Sequence, residues 1–234
     1  MINLDSIGLS IVDYCNMKCV NCASFCDVLE FDSKMYIEQI SRFVDEAIDL
    51  SMEFKHIWLV GGEPTLHPQL SDVFALLEKY VSHYPQCVVE LTTNCVKRVE
   101  IPGWIRNVNA EKFTNENYFV PVLDNIIENK SCSNGCFVID FCGFGMTKYG
   151  FYPCDIAGKM DALLGWDVGI KSLKDVNESS LEKLLGRFCK HCGWSQFESL
   201  REFLSHRKNY GSMISPFWQE VLSKFDGVKL SLYE

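Results

Sequence analysis

SIGLSIVDYCNMKCVNC, residues 6–22, joins two unlike pieces of sequence. Its first part, SIGLSIVD at 6–13, is a short apolar run bounded by polar residues, the pattern of a buried strand. Directly after it, Cys15, Cys19 and Cys22 fall in the order CxxxCxxC. Three thiolates on one short loop can bind three irons of a cubane and leave the fourth iron with open coordination positions. Zinc is the alternative, although zinc sites ordinarily use four ligands in paired CxxC or Cys/His spacings.

Working outward, Ser33 can cap a helix in which Ile37, Ile40, Val44, Ala47 and Ile48 recur at helical spacing. HIWLVGG at 56–62 reads as a second strand, a helix bearing Leu70, Phe74, Leu77 and Val81 follows, and CVVELTTN at 87–94 reads as a third strand. Strand and helix alternating in this way predict right-handed βαβ units and a parallel sheet, hence an α/β fold, as a Rossmann-like sheet or a partial barrel. Farther along, IRNVNA predicts a short strand, YFVPVLDNIIEN a helix, CFVIDFCG another strand, and SSLEKLLGRF a helix leading into Cys189. The expected total is about five strands. No internal repeat, low-complexity tract or linker is visible.

The chain has 234 residues and a net charge of -9, which disfavours nucleic-acid backbones and leaves a small molecule or a peptide as the expected partner. No run of about twenty apolar residues would span a bilayer, and the first residues lack the basic region and cleavage site of a secretory signal, so the expected location is the cytoplasm. Twelve cysteines are many for such a compartment, where disulfides are rare, and metal binding is the default reading. They form an N-terminal and a C-terminal group, as two metal sites would require.

CNMKCVNC after a first strand resembles the cysteine motif of the radical S-adenosylmethionine (SAM) superfamily. GGEP at Gly61, Gly62, Glu63 and Pro64, ending the second strand, resembles the GGE motif of the same superfamily. The resemblance implies that a [4Fe-4S] cluster on Cys15, Cys19 and Cys22 chelates SAM through its open iron. Reductive cleavage then gives a 5'-deoxyadenosyl radical that takes a hydrogen atom from substrate. It also implies that GGEP receives the SAM amino group, with Glu63 an acceptor for the ammonium. Thr92, Thr93 and Asn94 end the third strand, where the family often has TNG and this chain has TTNC; Thr93 and Asn94 are the cofactor-facing candidates there. His67 reads as a turn residue before Pro68. Lys112 would by analogy meet the SAM carboxylate, against the plainer reading of a solvated surface lysine.

CGFGMTKYGFYPC from Cys142 to Cys154, followed by CKHC at Cys189 and Cys192, resembles the shortened SPASM arrangement called twitch. That resemblance implies an auxiliary [4Fe-4S] cluster on Cys142, Cys154, Cys189 and Cys192, without an open iron. Structural zinc is the alternative. Cys132 or Cys136 could replace Cys142, or could supply a thiol to substrate as could Cys95. Cys26 reads as a non-ligand and Cys87 as core.

Taken together the resemblance implies a partial (β/α) barrel over residues 1–131, a small iron-sulfur cap over 132–196, and a tail over 197–234 packed on the barrel. Its design is similar to small twitch enzymes such as 2-deoxy-scyllo-inosamine dehydrogenase, which oxidise a secondary alcohol of an aminocyclitol. A sugar, cyclitol or amino acid is the implied substrate, and flavodoxin or ferredoxin the implied reductant. Peptide maturation or epimerisation is the rival chemistry, and a non-catalytic iron-sulfur or zinc protein the rival class. Glu63, His67, Asp140 and Asp155 are all conceivable bases.

Overall fold

A computed structural model describes residues 2–19, 22–26, 28–29, 33–109, 135–197 and 214–234. Its strands are β1 (Ser6–Val12), β2 (His56–Gly61), β3 (Val88–Thr93), β4 (Arg106–Asn109), β5 (Phe144–Thr147) and β6 (Gly150–Tyr152). They form one sheet in the order β4-β3-β2-β1-β5-β6, parallel throughout except for the β5-β6 hairpin. The central strand is therefore the one that carries the cysteine loop.

Register sorts the side chains. Ile7, Leu9 and Ile11 lie on one face with Ile57, Leu59, Val89 and Leu91, and all are buried with the apolar faces of α1 (Ile37–Asp49) and α2 (Leu70–His83). The opposite face carries Ser6, Gly8 and Ser10 beside His56, Trp58 and Val60, then Glu90. Strands with one apolar and one polar face, joined through helices on the apolar side, leave the polar side for a ligand. The parallel arrangement also places the ends of β1, β2 and β3 at one edge of the sheet, where chemistry in parallel α/β folds collects.

Two local expectations change. Ser33 does not cap α1; its hydroxyl donates to the buried carboxylate of Asp13, and α1 starts at Ile37 with the Gln39 side chain accepting from Tyr36 N–H at 3.0 Å. An ionisable oxygen at the end of β1 is a stronger acceptor than an orphan helix amide can be a donor. CFVIDFCG, expected as a strand, contains helix α3 (Phe137–Cys142), and the strand next to β1 begins only at Phe144. A short apolar run has no period to separate the two states. Gly143 decides it, turning at φ 73 where an added Cβ would meet Ser6 O at 1.9 Å. The expected helix in YFVPVLDNIIEN, and Lys112 and Cys132, lie outside the described residues.

Helices α4 (Asp155–Leu164) and α5 (Glu178–Phe188) follow the hairpin, α5 being the helix expected before Cys189, capped by Asn177. In the tail, α6 (Pro216–Lys224) buries Trp218, whose indole donates to His191 O at 2.8 Å and lies 5.3 Å from the Phe25 ring. The chain then returns to α1, where buried Tyr233 donates to Glu46 at 3.0 Å. Among the described residues no helix is long and apolar enough to cross a membrane.

Candidate functional site

The glycine pair is dictated by the cysteine loop. Gly62 N–H donates to Val12 O and Glu63 N–H to Tyr14 O, both at 2.9 Å, so the end of β2 runs against the backbone leading into Cys15. There is no space for side chains. A Cβ on Gly61, at φ 126, would meet Val12 O at 2.3 Å, and one on Gly62 would meet Tyr14 O at 2.0 Å and Cys26 Sγ at 2.9 Å. Ser24 donates to Gly61 O at 2.8 Å, which ties the far side of the loop to the same residue pair. Cys15, Cys19 and Cys22 are thus carried on a segment held from both ends.

Glu63 is fully buried and its carboxylate is engaged by the protein itself. Oε1 accepts from Thr65 N–H at 3.1 Å, from the Thr65 hydroxyl at 2.6 Å and from the Thr93 hydroxyl at 2.6 Å, while Oε2 accepts from Asn94 N–H at 2.7 Å. Through these contacts Glu63 braces the ends of β2 and β3. Asn94, which it holds, extends Nδ2 to Asn16 Oδ1 at 2.7 Å and towards Cys15 Sγ at 3.6 Å. Pro64 opens a single helical turn and is buried. Cys95 takes φ 58, a conformation that costs a side chain strain.

A second set of cysteines lines a small apolar cavity of about 20 Å3. Its walls include Cys136, Cys154, Cys189 and Cys192, with Met160 and Trp194. Cys142 is not among the lining residues; it ends α3, whereas Cys136 begins that helix. Cys154 stands at the start of α4, where its sulfur accepts from Ala157 N–H at 3.4 Å. Helix starts supply N–H dipoles that favour thiolate. Against this, burial and then neighbouring cysteines, with Asp155 also acting on Cys154, push the Cys154 and Cys192 thiols well above the ordinary range, and Cys142 is pushed up to about 12. A positive group in the cavity is what would turn these thiols into ligands. Among the described residues no three His, Cys, Asp or Glu side chains converge on a point that would hold a single ion.

The remaining candidates separate by position. His67 is buried, its Nε2 donating to Met35 O at 3.0 Å and its Nδ1 accepting from Gln69 N–H at 3.1 Å, so both nitrogens hold the turn. Asp140 is exposed on α3. Cys87 is buried at the foot of β3, and burial raises its pKa to about 12. Asp155 instead reaches the polar side of the sheet: its Cβ would lie 3.8 Å from a Cβ on Gly8, and burial raises its carboxyl to about 6. Sequence reading missed the buried ion pair of Lys159 with Asp13, which joins α4 to the end of β1. Its one signal was a lone lysine in the otherwise apolar IAGKM.

A parallel sheet whose first strand delivers CxxxCxxC and whose second ends in a glycine pair at the same edge resembles the radical SAM superfamily. Known proteins share part of the sequence or the fold. The chain is 26% identical over 112 residues to GTP 3',8-cyclase of Desulforamulus reducens, a match covering 47% of this chain and 33% of the cyclase. It thus spans about a third of the length of that curated relative. The structure of BtrN in complex with AdoMet and 2-DOIA shares the fold, with a TM-score of 0.52 at 15% identity over 86% of this chain and 98% of BtrN. Streptococcus suis SuiB bound to precursor peptide SuiA overlaps only 40% of this chain and 19% of its own, at 20% identity and a TM-score of 0.32. No protein-family model matches the chain.

Proposed function

We propose that the chain is a radical SAM oxidoreductase acting on a small polar substrate, with a second iron-sulfur cluster in the cysteine-lined cavity. The observation that carries this reading is the cavity itself: four cysteines from three segments of the chain line one apolar space, in the same chain as the CxxxCxxC loop. Cys15, Cys19 and Cys22 would hold the first cluster, and Cys136, Cys154, Cys189 and Cys192 the second, with Cys136 in the position first expected of Cys142. Four thiolates around a cubane leave no open iron, so the second cluster would not bind SAM. When bound, SAM on the first cluster supplies hydrogen-atom abstraction and the second cluster an electron acceptor, so that a secondary alcohol would lose a hydrogen atom, a proton and an electron.

The protein's own residues do the positioning. The glycine pair and the Glu63 brace fix the edge where SAM would lie, and the polar face of the sheet, with Ser10 and Asp155, offers hydrogen bonds to substrate hydroxyls. The likeness of fold to BtrN, crystallised with 2-DOIA, supports a sugar or cyclitol substrate. A ferredoxin or flavodoxin would be the electron donor.

Iron content tests the ligand assignment. After anaerobic reconstitution the parent should hold about eight irons per chain if both sites carry cubanes. Cys136→Ser with Cys154→Ser should hold about four, and Cys142→Ser should stay near eight. Four irons in the Cys142 variant and eight in the Cys136 and Cys154 variant would reject the assignment; one zinc in place of the second cubane would reject the electron acceptor.

A further inference from the structure

Asn94 is the point at which the β2 and β3 ends meet the cysteine loop. Val96 N–H donates to its Oδ1 at 3.0 Å, which fixes Nδ2 as the donor end of the amide. Nδ2 donates to Asn16 Oδ1 at 2.7 Å and lies 3.6 Å from Cys15 Sγ. Met17 N–H reaches the same sulfur at 3.4 Å. The backbone of Asn94 is in turn anchored on Oε2 of buried Glu63 at 2.7 Å, and the preceding Thr93 hydroxyl on Oε1 at 2.6 Å. A rigid path therefore runs from the GGE carboxylate through Asn94 to a cluster thiol.

We infer that Asn94 is a positioning residue that tunes the reduction potential of the first cluster through a side-chain N–H to sulfur hydrogen bond, with Glu63 holding it in place. The inference rests on the reading of Cys15 as an iron ligand. Reduction adds one negative charge, which the thiolate sulfurs share. A donor dipole aimed at one of them stabilises the reduced form more than the oxidised form and raises the potential. The buried brace matters because a donor that is already oriented needs no reorganisation when the charge arrives. The sulfur accepts from a side chain here, so the effect can be removed without altering the loop backbone.

The test is an EPR-monitored reductive titration of the reconstituted protein, without SAM, on the parent, Asn94→Ala, Asn94→Ser and Asn94→Asp. Asn94→Asp keeps the shape and the acceptor for Val96 N–H but replaces the donor by an oxygen that repels the sulfur. The first cluster should be reduced at a more negative potential in Asn94→Ala, more negative still in Asn94→Asp, and closer to the parent in Asn94→Ser, which retains a donor. The second cluster should not move. Equal potentials in all four proteins at full iron content would overturn the inference, as would Ser behaving no better than Ala. If Asn94→Ala binds no iron, the near-isosteric Asp variant decides. A parent that assembles no cluster on Cys15, Cys19 and Cys22 would instead sink the underlying reading.

Discussion

Glu63 shows how a motif visible in sequence leaves the partners of its side chain to the tertiary structure. GGEP was legible because glycines before a proline at a strand end are unusual beside a cysteine triplet. The four donors around Glu63 come from Thr65, Thr93 and Asn94, and only the tertiary pairing of β2 with β3 brings the last two there. His67, read as a turn residue and found in the turn, has a state with a consequence for stability. Burial, with Lys34 adding to it, holds its pKa below the ordinary value against the opposing pull of the Met35 carbonyl. The unfolded chain then binds a proton on His67 more readily than the folded one, so this group costs nothing at high pH and destabilises as pH falls below about 6.5. Between about pH 8 and pH 5.5 the parent should lose more of its urea midpoint than His67→Gln, which keeps a donor for Met35 but cannot titrate. Equal losses would show that His67 does not titrate in this way.

At the scale of elements, the β2 end fits closely against the approach to Cys15. Gly62→Ala would push a methyl into Tyr14 O, 2.0 Å away, and displace backbone that no side-chain rotation can rescue. Reconstituted Gly62→Ala should therefore retain the second cluster and lose the first, about four of eight irons. Full iron content in that variant would contradict the proposed coupling of glycine pair and loop. The buried pair of Lys159 and Asp13 makes a second joint, between α4 and β1. Lys159→Met should destabilise by about 3–5 kcal/mol because it leaves the buried Asp13 carboxylate without a cation, only the Ser33 hydroxyl still donating to it, whereas adding Asp13→Asn should recover most of the loss. A double variant no more stable than the single one would place the cost elsewhere. Periodicity revealed α1, α2 and β1 to β3, where one face of each is apolar. It failed at α3, where six residues bury only Ile139 and a glycine conformation decides the end.

For the whole molecule, the alternation of strands and helices up to Asn94 disclosed a parallel sheet, and the fold shared with BtrN agrees with it. The proposed second cluster site was less legible. CxxC at Cys189 and Cys192 and the glycine-spaced Cys154 stand out in one dimension, but the choice between Cys136 and Cys142 depends on which end of a short helix faces the cavity. Spacing alone cannot supply that. The account as a whole stands on the loop at the end of β1, since both the glycine fit and the Asn94 contact serve Cys15. Its most direct test is the production of 5'-deoxyadenosine by anaerobically reconstituted protein given SAM and dithionite. Without substrate, the parent should release it, and Cys15→Ala, Cys19→Ala and Cys22→Ala combined should release none. Production undiminished in the triple variant, or absent from a parent that carries its full iron, would contradict the account.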